Sequence, residues 1–484
     1  MIKESRNEPH IIKSIRIFKK ASAISALAIL LLVLSACALI DDIIDAYERP
    51  SGQSFAEARS NFTTTLTRQV NNQNEIPTPP QGVFDLVYYQ SEVGNLAAFV
   101  SSDPGDGQRH PLIIWIVGGW GYGISDLPWS YPEWDNDQTG SAFKSAGILM
   151  MYPSFRGANG NPGYFETLYG DIDDILAAYR FAASLPYVDP DRIYLGGHST
   201  GGTRVLLASA LTDYFRAVFS FGPVDDIGNH NRAQFTFDLN DREERRMRSP
   251  IHWLGDIVSP TFIIEGESGT AVDLRNMENR SNNENIHIFI VEGGDHFDVL
   301  APITRLLAQK VAADTGPNVN ISLTDSEIQN AMNNRPTQSP MPMMGPHYNE
   351  VYGIRFLLPA IWDESLAGDQ SAFVYTAPFH DDNFWETSYM ILEMYELEDI
   401  LSPEEFEEIL GLDVTIFERR ETQVGHKRAF VWEGTAQFET LYYNKIVMIQ
   451  EDERLAIFDF LVPEIYQNDA MPMFEQIMYS ISFE

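Results

Sequence analysis

Residues 197–201 are the part of the sequence best suited to position a nucleophile. They read GHSTG, with Ser199 in the middle, and fit the pattern G-x-S-x-G. In this pattern the serine lies on a strained turn between a strand and a helix, and the backbone crowds so closely that the outer residues must be very small. A strand-like run at 193–195 and a helix-like run at 203–211 supply the context that the motif requires. Ser199 is therefore the candidate nucleophile for acyl transfer.

A histidine late in the chain is expected to act as the general base. His296 lies in the sequence GGDHF, after a predicted strand at 286–291 and before a predicted helix at 302–313. This place suits the chain order of serine, acid and histidine that accompanies the motif. His287 lies inside the strand, and His252 precedes the strand expected to carry the acid. His296 is therefore the predicted base.

The carboxylate that orients the base is less narrowly defined by the sequence. It should follow the strand before the last one, where Glu267 is the carboxylate best placed early in the loop. Asp225 and Asp226, which follow the preceding strand, are alternatives. A glutamate can orient an imidazole and stabilise its charged form as an aspartate does. Glu265, next to the end of the strand, and Asp273 also stay open.

Two backbone N–H groups should bind the oxyanion that forms during acyl transfer. One belongs to the residue after the nucleophile, which is Thr200, and the other follows an earlier strand. The apolar run 113–117 leads directly into the sequence GGWG at 118–121. Glycines let the backbone approach the reacting carbonyl there, so the second donor is predicted at Gly119 or Trp120.

Composition restricts the kinds of partner and cofactor that the protein is expected to bind. The formal net charge of −36 repels phosphate backbones, so nucleic acid is not an expected partner. Neither a H-E-x-x-H or C-x-x-C motif nor a phosphate-binding glycine loop occurs in the sequence. No metal and no cofactor are therefore predicted.

The first 36 residues have the pattern of a secretory signal. Lysines and arginines are concentrated in residues 1–20, and residues 21–36 are apolar and uncharged. Cys37, the only cysteine in the chain, follows at once and excludes an intramolecular disulfide. The position resembles a bacterial lipobox, which implies a lipid attached to Cys37 and anchoring at a membrane of the cell envelope. Ala38 is not the aspartate associated with inner-membrane retention, which favours the outer membrane.

Composition and periodicity divide the rest of the chain into four parts. Residues 37–80 are polar, end in a proline-rich stretch and have the composition of a tether. In residues 81–313, apolar runs such as 111–117 (PLIIWIV) alternate with helical patterns, which predicts an α/β fold with a mainly parallel sheet and helices on both faces. Residues 314–348 form a predicted linker, and 349–484 a smaller α+β domain with an antiparallel sheet.

Local patterns also predict individual elements outside the α/β domain. A short helix is expected at 325–333 in the linker. In the smaller domain, strands are expected at 353–358, 372–376, 427–432, 441–450 and 454–461, and helices at 388–396, 403–410 and 473–480.

Residues from about 80 to 313 resemble the prolyl oligopeptidase and dienelactone hydrolase branches of the α/β-hydrolase superfamily. The resemblance lies in 152–163 (YPSFRGANGNPG), in 170–173, in 187–202 (YVDPDRIYLGGHSTGG) and in 293–301 (GGDHFDVLA). It implies a serine hydrolase that cleaves an ester or a peptide bond through an acyl-enzyme at Ser199, with His296 as base.

Two departures from the pattern of these branches bear on activity. The branches usually have His-Gly-x-x-Asp after the acid-bearing strand, whereas residues 265–269 read EGESG and leave Gly269 in the position of the acid. The oxyanion loop usually begins with histidine, which is Val117 here. The first departure keeps a second hypothesis open, a catalytically inactive hydrolase fold that works as a binding module. A β-propeller is also absent before the catalytic domain, so a strict oligopeptidase role is not implied.

The smaller domain resembles the PsbP-like fold found in some bacterial lipoproteins. The resemblance lies in 352–362 (YGIRFLLPAIW), 454–463 (RLAIFDFLVP) and 473–483 (MFEQIMYSISF). It implies a domain that binds a protein partner or substrate, or shields the active site, rather than one with chemistry of its own.

Overall fold

The computed structural model describes most of the chain from residue 52 onward and contains three β-sheets with eight, three and seven strands. The described residues are 52–130, 136–334, 344–359, 362–366, 372–376, 389–396, 414–424, 427–437, 441–451, 454–463 and 467–483. The predicted signal segment, residues 1–36, and Cys37 lie outside them.

The eight-stranded sheet forms the centre of the larger domain. Its strands are β1 (Phe84–Ser91), β2 (Gly94–Ser101), β3 (His110–Ile116), β4 (Leu149–Pro153), β5 (Val188–His198), β6 (Val218–Phe221), β7 (Thr261–Gly266) and β8 (Ile286–Val291). They lie in the order β1-β2-β4-β3-β5-β6-β7-β8. β2 pairs antiparallel with β1 and β4, and the remaining pairs are parallel.

Helices cover both faces of this sheet. They are α1 (Phe55–Ser60), α2 (Ser141–Ser145), α3 (Gly170–Ser184), α4 (Thr200–Leu211), α5 (Arg242–Met247), α6 (Ala271–Arg280), α7 (Leu300–Ala313) and α8 (Asp325–Asn333). Short 3-10 helices lie at Leu127–Trp129, Ile227–Asn229, Arg232–Gln234, Pro250–His252 and Leu254–Asp256.

The burial of β3 shows why its sequence is apolar from Pro111 to Ile116. Leu112 and Ile114 point into the apolar layer that also contains residues of α3, α4 and α6. Ile113 and Trp115 point into the opposite layer, with residues of α2, α7 and α8. A strand with a helical layer on each side has no polar face. The predicted α/β class, with a mainly parallel sheet covered on both faces, is confirmed.

Residues 55–76 are not the free tether that their composition predicts. Phe55 is fully buried and stacks on Trp253 at a ring distance of 4.7 Å. Arg59 pairs with Asp173 of α3 at 2.7 Å. The polar residues that suggested a linker donate to and accept from neighbouring loops, so a segment of linker composition is fixed on the domain.

The first half of the predicted linker also belongs to the larger domain. Helix α8 forms at the predicted residues 325–333, with a capping box between Thr324 and Glu327. Ile328 and Met332 are buried in the same apolar layer as α7. The linker prediction was wrong here because a few apolar side chains at helical spacing outweigh a polar overall composition.

The smaller domain contains two antiparallel sheets. One has three strands and the other seven, and in the labels given next their orders are β18-β10-β9 and β11-β12-β13-β17-β16-β15-β14. The strands are β9 (Met344–Asn349), β10 (Ile354–Pro359), β11 (Asp363–Leu366), β12 (Ala372–Thr376), β13 (Tyr389–Glu396), β14 (Val414–Val424), β15 (Lys427–Gln437), β16 (Leu441–Glu451), β17 (Arg454–Pro463) and β18 (Ser482–Phe483), with one described helix, α9 (Gln467–Ser480).

One predicted helix of this domain is a strand. Residues 389–396 form β13 between β12 and β17, with Met390 and Leu392 fully buried on one side. These residues form a strand because they pair with a neighbouring strand on each side. The preference of a segment for a strand depends more on such neighbours than on residue type. The helix predicted at 403–410 lies outside the described residues, and the PsbP-like resemblance stays a prediction.

Within the residues that the structure describes, none of the helices combines the length and the hydropathy needed to span a membrane.

Candidate active site

Ser199 lies on a strained turn between β5 and α4. Its φ of 57° and ψ of −117° place a non-glycine residue in a rarely populated backbone region. Such strain, which costs about 1–3 kcal/mol, is usually retained where the position of one side chain matters. The Ser199 amide donates to the carbonyl oxygen of Phe221 at 2.7 Å and fixes the turn against the end of β6.

Both outer positions of the motif must be glycine because the surrounding backbone leaves no room for a side chain. A Cβ atom on Gly197 would lie 2.8 Å from the backbone of Gly201. A Cβ atom on Gly201 would overlap the carbonyl oxygen of Ile116 at the end of β3. The turn therefore packs backbone against backbone, as the G-x-S-x-G pattern predicts.

His296 is held by Glu265. Nδ1 of His296 lies 2.8 Å from Oε2 of Glu265, and the glutamate is fully buried. An ionised carboxylate only accepts hydrogen bonds, so Nδ1 carries the proton. The proton on Nδ1 leaves Nε2 of His296 free to act as a base.

Glu265 is also held by its own loop. The Gly266 amide donates to Oε1 at 2.7 Å, and the Thr270 hydroxyl donates to Oε2 at 3.0 Å. Gly269 lies directly against this carboxylate, and a Cβ atom there would overlap Oε1 of Glu265. The carboxylate of Glu265 thus fills space beside the position where the resembled branches carry their aspartate.

The choice of Glu267 as the acid has to be corrected. Strand β7 extends through Gly266, two residues further than predicted, so Glu265 is its penultimate residue. Glu267 comes after the strand and is exposed. The chain turns directly after Gly266, where the Gly269 amide donates to the carbonyl oxygen of Gly266 at 3.0 Å, so Glu267 does not continue the strand face that presents Glu265 to the histidine.

Asp225 and Asp226 are engaged elsewhere. Asp226 pairs with Arg245 at 2.8 Å. Asp225 and Asp273 form a buried pair bridged by the Asn229 side-chain amide, which donates to both at 2.9 and 2.7 Å. Burial, together with the neighbouring Asp273, raises the pKa of Asp225 to about 7. Neither alternative acid contacts His296.

Gly222 brings the nucleophile and the base close together. Its neighbour Phe221 accepts the hydrogen bond from the Ser199 amide. A Cβ atom on Gly222 would lie 2.5 Å from both Glu265 Oε2 and His296 Cε1. The turn after β6 therefore touches the serine, the histidine and the glutamate.

The predicted oxyanion loop lies beside the nucleophile. A Cβ atom on Gly118 would lie 3.2 Å from the Cβ of Ser199. Gly119 has a φ of +83°, and its carbonyl oxygen accepts a 2.6 Å hydrogen bond from the Thr200 hydroxyl. Thr200 thus ties the loop that contains Gly119 and Trp120 to the helix that starts after the nucleophile.

A buried ion pair, which the sequence did not reveal, supports this link. Arg204 Nη1 donates to Thr200 Oγ1 at 3.2 Å, and Arg204 Nε pairs with Asp171 Oδ2 at 2.9 Å. Both charged side chains are buried, so each charge needs the opposite charge of its partner to offset the loss of water. The pair fixes the threonine hydroxyl that holds the oxyanion loop.

His198, the variable residue of the motif, also contacts the base. Its Nε2 donates to the backbone carbonyl of His296 at 3.0 Å. Burial lowers the pKa of His198 to about 3, so its ring is neutral at physiological pH. The neutral ring therefore anchors the loop that carries His296.

Comparisons with known proteins match parts of the chain. The sequence profile of the prolyl oligopeptidase family matches residues 134–278. The matched segment includes Ser199 and Glu265 and ends before His296; it covers less than a third of the 484 residues.

Two curated proteins are similar over part of the chain. An uncharacterized peptidase, YtmA, of Bacillus subtilis is 28% identical over 145 residues, which are 28% of this chain and 56% of that protein. The polyketide transferase claH of Penicillium crustosum is 38% identical over 99 residues, 19% of this chain and 32% of that protein. The chain thus spans about half of the first relative and a third of the second.

Solved structures are also similar to about half of the chain. A puromycin-hydrolyzing peptidase of Mycobacterium tuberculosis is 19% identical, with a TM-score of 0.41, and the match covers 49% of this chain and 40% of that one. An esterase of Pyrobaculum calidifontis is 14% identical, with a TM-score of 0.37, over 49% of this chain and 87% of that one.

The strand order and the strained serine turn between β5 and α4 give the larger domain the arrangement of an α/β-hydrolase fold. Residues 134–278 carry its resemblance to the prolyl oligopeptidase family.

Proposed function

We propose that the protein cleaves ester or peptide bonds through a covalent acyl-enzyme at Ser199. The observation that carries the proposal is the hydrogen bond between His296 and the buried Glu265, next to a serine on a strained turn. A nucleophile, a base and a group that orients the base are the three parts that this chemistry needs.

The first step forms the acyl-enzyme. Ser199 Oγ attacks the carbonyl carbon of the substrate while Nε2 of His296 takes the hydroxyl proton. The amide of Thr200 and that of Gly119 or Trp120 donate to the resulting oxyanion. The tetrahedral intermediate then collapses, and the alcohol or amine leaves with the proton from His296.

The second step restores the enzyme. His296 takes a proton from water, and the oxygen of that water attacks the ester carbonyl of the acyl-enzyme. Collapse of the second intermediate breaks the bond to Ser199 Oγ, which recovers its proton from His296, and releases a carboxylic acid. Throughout, Glu265 stabilises the charged form of His296 without taking its proton.

A fluorophosphonate probe tests this proposal directly. The wild-type protein should be labelled and should hydrolyse p-nitrophenyl acetate, whereas Ser199→Ala should show neither labelling nor hydrolysis above the level of buffer. Tm values of the two proteins check that both are folded. A folded wild-type protein that shows no Ser199-dependent labelling would contradict the proposal.

The hypothesis of a catalytically inactive binding module no longer has an observation behind it. It rested on Gly269 standing where the resembled branches have an acid, but Glu265 now lies against His296 beside that position. The smaller domain is proposed to bind a protein partner or the substrate, since nothing in its resemblance implies chemistry.

We further propose that the protein is held at the cell envelope by a lipid on Cys37, at the outer membrane rather than the inner one. Each buried methylene of an acyl chain contributes about 0.8 kcal/mol of membrane affinity. Cys37→Ser should therefore move the protein from the membrane fraction to the soluble fraction after cell lysis and centrifugation. Membrane retention of the variant equal to that of wild type would count against the anchor.

A further inference from the structure

Residues 61–76, here called the N-terminal strap, connect α1 to the rest of the larger domain and run across two of its loops. The strap is largely polar, and most of its residues are partly or fully exposed. It is nevertheless fixed at several points by hydrogen bonds to residues distant in sequence. The polar groups that make the strap look like a free linker are the groups that form these hydrogen bonds.

On one side the strap holds the loop at 233–237. The Thr67 amide donates to the carbonyl oxygen of Thr236 at 2.7 Å. The guanidinium of Arg68 donates to the carbonyl oxygens of Phe235 at 3.0 Å and Ala233 at 2.7 Å. One exposed side chain therefore binds two backbone carbonyl groups of this loop.

On the other side the strap holds the loop at 157–165. The Phe165 amide donates to the carbonyl oxygen of Val70 at 2.9 Å. The Asn72 amide donates to the carbonyl oxygen of Gly157 at 2.7 Å, and the Asn72 carbonyl oxygen accepts from the Gly160 amide at 3.0 Å. Its side-chain oxygen also accepts from the Asn159 amide at 2.9 Å.

Both loops carry aromatic rings that meet beside the oxyanion loop. Phe235 lies edge-on to Trp120, with ring centres 6.0 Å apart. Phe165 stacks on Tyr122 at 4.3 Å, and Tyr122 lies 6.1 Å from Trp120. These four rings, here called the aromatic wall, are therefore positioned from both ends by the strap.

The chemistry places the acyl group of a substrate near this wall. His296 must stand beside the leaving group, because it gives that group its proton. The carbonyl oxygen lies at the amides of Thr200 and of Gly119 or Trp120. The acyl chain is then directed to the side away from His296, toward the side chain of Trp120, which belongs to the oxyanion loop itself.

We propose that the N-terminal strap determines acyl-group selectivity by fixing the aromatic wall, with Arg68 as the main positioning residue. The inference rests on the proposed hydrolase activity. Large or aromatic acyl groups gain contact area against Trp120, the half-buried ring that the three buried rings of the wall support, whereas an acetyl group is too small to use it. Loosening the wall should therefore raise KM for large acyl groups and leave acetate turnover nearly unchanged.

Arg68→Met tests the proposal, with Arg59→Met as the matched control. Both arginines lie near the N-terminus of the described chain, but Arg59 pairs with Asp173 and does not reach the loops of the wall. Steady-state kinetics with p-nitrophenyl acetate, octanoate and phenylacetate keep the leaving group constant. KM of Arg68→Met should rise about tenfold for the two larger esters and stay within about twofold for acetate. Arg59→Met should match wild type with all three.

Asn72→Ala, which acts on the opposite loop, should shift KM in the same direction and keeps the test open if Arg68→Met does not fold. Equal effects on all three esters, or no effect in either variant, would overturn the strap proposal while fluorophosphonate labelling leaves the hydrolase proposal intact. A wild-type protein that is neither labelled nor active overturns both.

Discussion

Glu265→Gln is expected to lower kcat/KM for p-nitrophenyl acetate by about 10³–10⁴-fold, which corresponds to about 4–5.5 kcal/mol of activation free energy. The amide keeps the size of the carboxylate but removes its charge and offers His296 an N–H as well as a carbonyl. The imidazolium that forms during attack loses its stabilising partner, and the ring can adopt the wrong tautomer. KM should change little, because Glu265 is buried behind the histidine.

Glu267→Gln is the matched control, since it makes the same chemical change two residues further along the chain. Glu267 is exposed, and we expect its variant to keep wild-type kcat/KM within about twofold. The opposite pattern, with loss of activity in Glu267→Gln and retention in Glu265→Gln, would assign the acid to the loop instead of the strand. Thermal unfolding of both variants separates catalytic from folding effects.

Gly222→Ala is expected to lower kcat by about 100-fold, because misplacing catalytic groups by about 1 Å has effects of this size. The new methyl group would lie 2.5 Å from both Glu265 Oε2 and His296 Cε1, so the pair must move apart or turn. Stopped-flow and steady-state kinetics with p-nitrophenyl acetate measure the loss of the acylation rate.

Gly147→Ala separates this steric effect from backbone strain. Both glycines have positive φ, 55° for Gly222 and 78° for Gly147, so alanine is strained at either position by about 1–2 kcal/mol. A Cβ atom on Gly147 meets no heavy atom within 4 Å. Gly147→Ala should therefore lose stability in thermal unfolding but keep its activity. Equal activity losses in the two variants would show that strain, not the contact with His296, is responsible.

The acid shows where sequence reasoning stopped short. The family pattern directs attention to the loop after β7, where Gly269 has no side chain and Glu267 is the nearest carboxylate. Because the predicted strand ended at residue 264, Glu265 was kept only as an open alternative and not chosen as the acid. A signal was present in the sequence, because a glutamate followed by glycines at 266 and 269 has room for its carboxylate to turn back.

The strap and α8 show a different limit. Both segments are polar enough to be taken for linkers, and the contacts that fix the strap join residues about 90 to 170 positions apart in the chain. Local composition contains no information about such partners. Helix α8 was nevertheless predicted at the correct residues, since capping and helical spacing are local properties.

The sequence by itself determined the α/β class, the turn with Ser199 and the chain order that points to His296. These features follow from periodicity, glycine spacing and the apolar runs of buried strands, all of which act over a few residues. Only the tertiary structure decided that Glu265 faces His296, that Arg204 and Thr200 hold the oxyanion loop, and that the strap is packed. Each depends on which side chains from distant elements share a volume, and close packing settles that only when the whole domain has assembled.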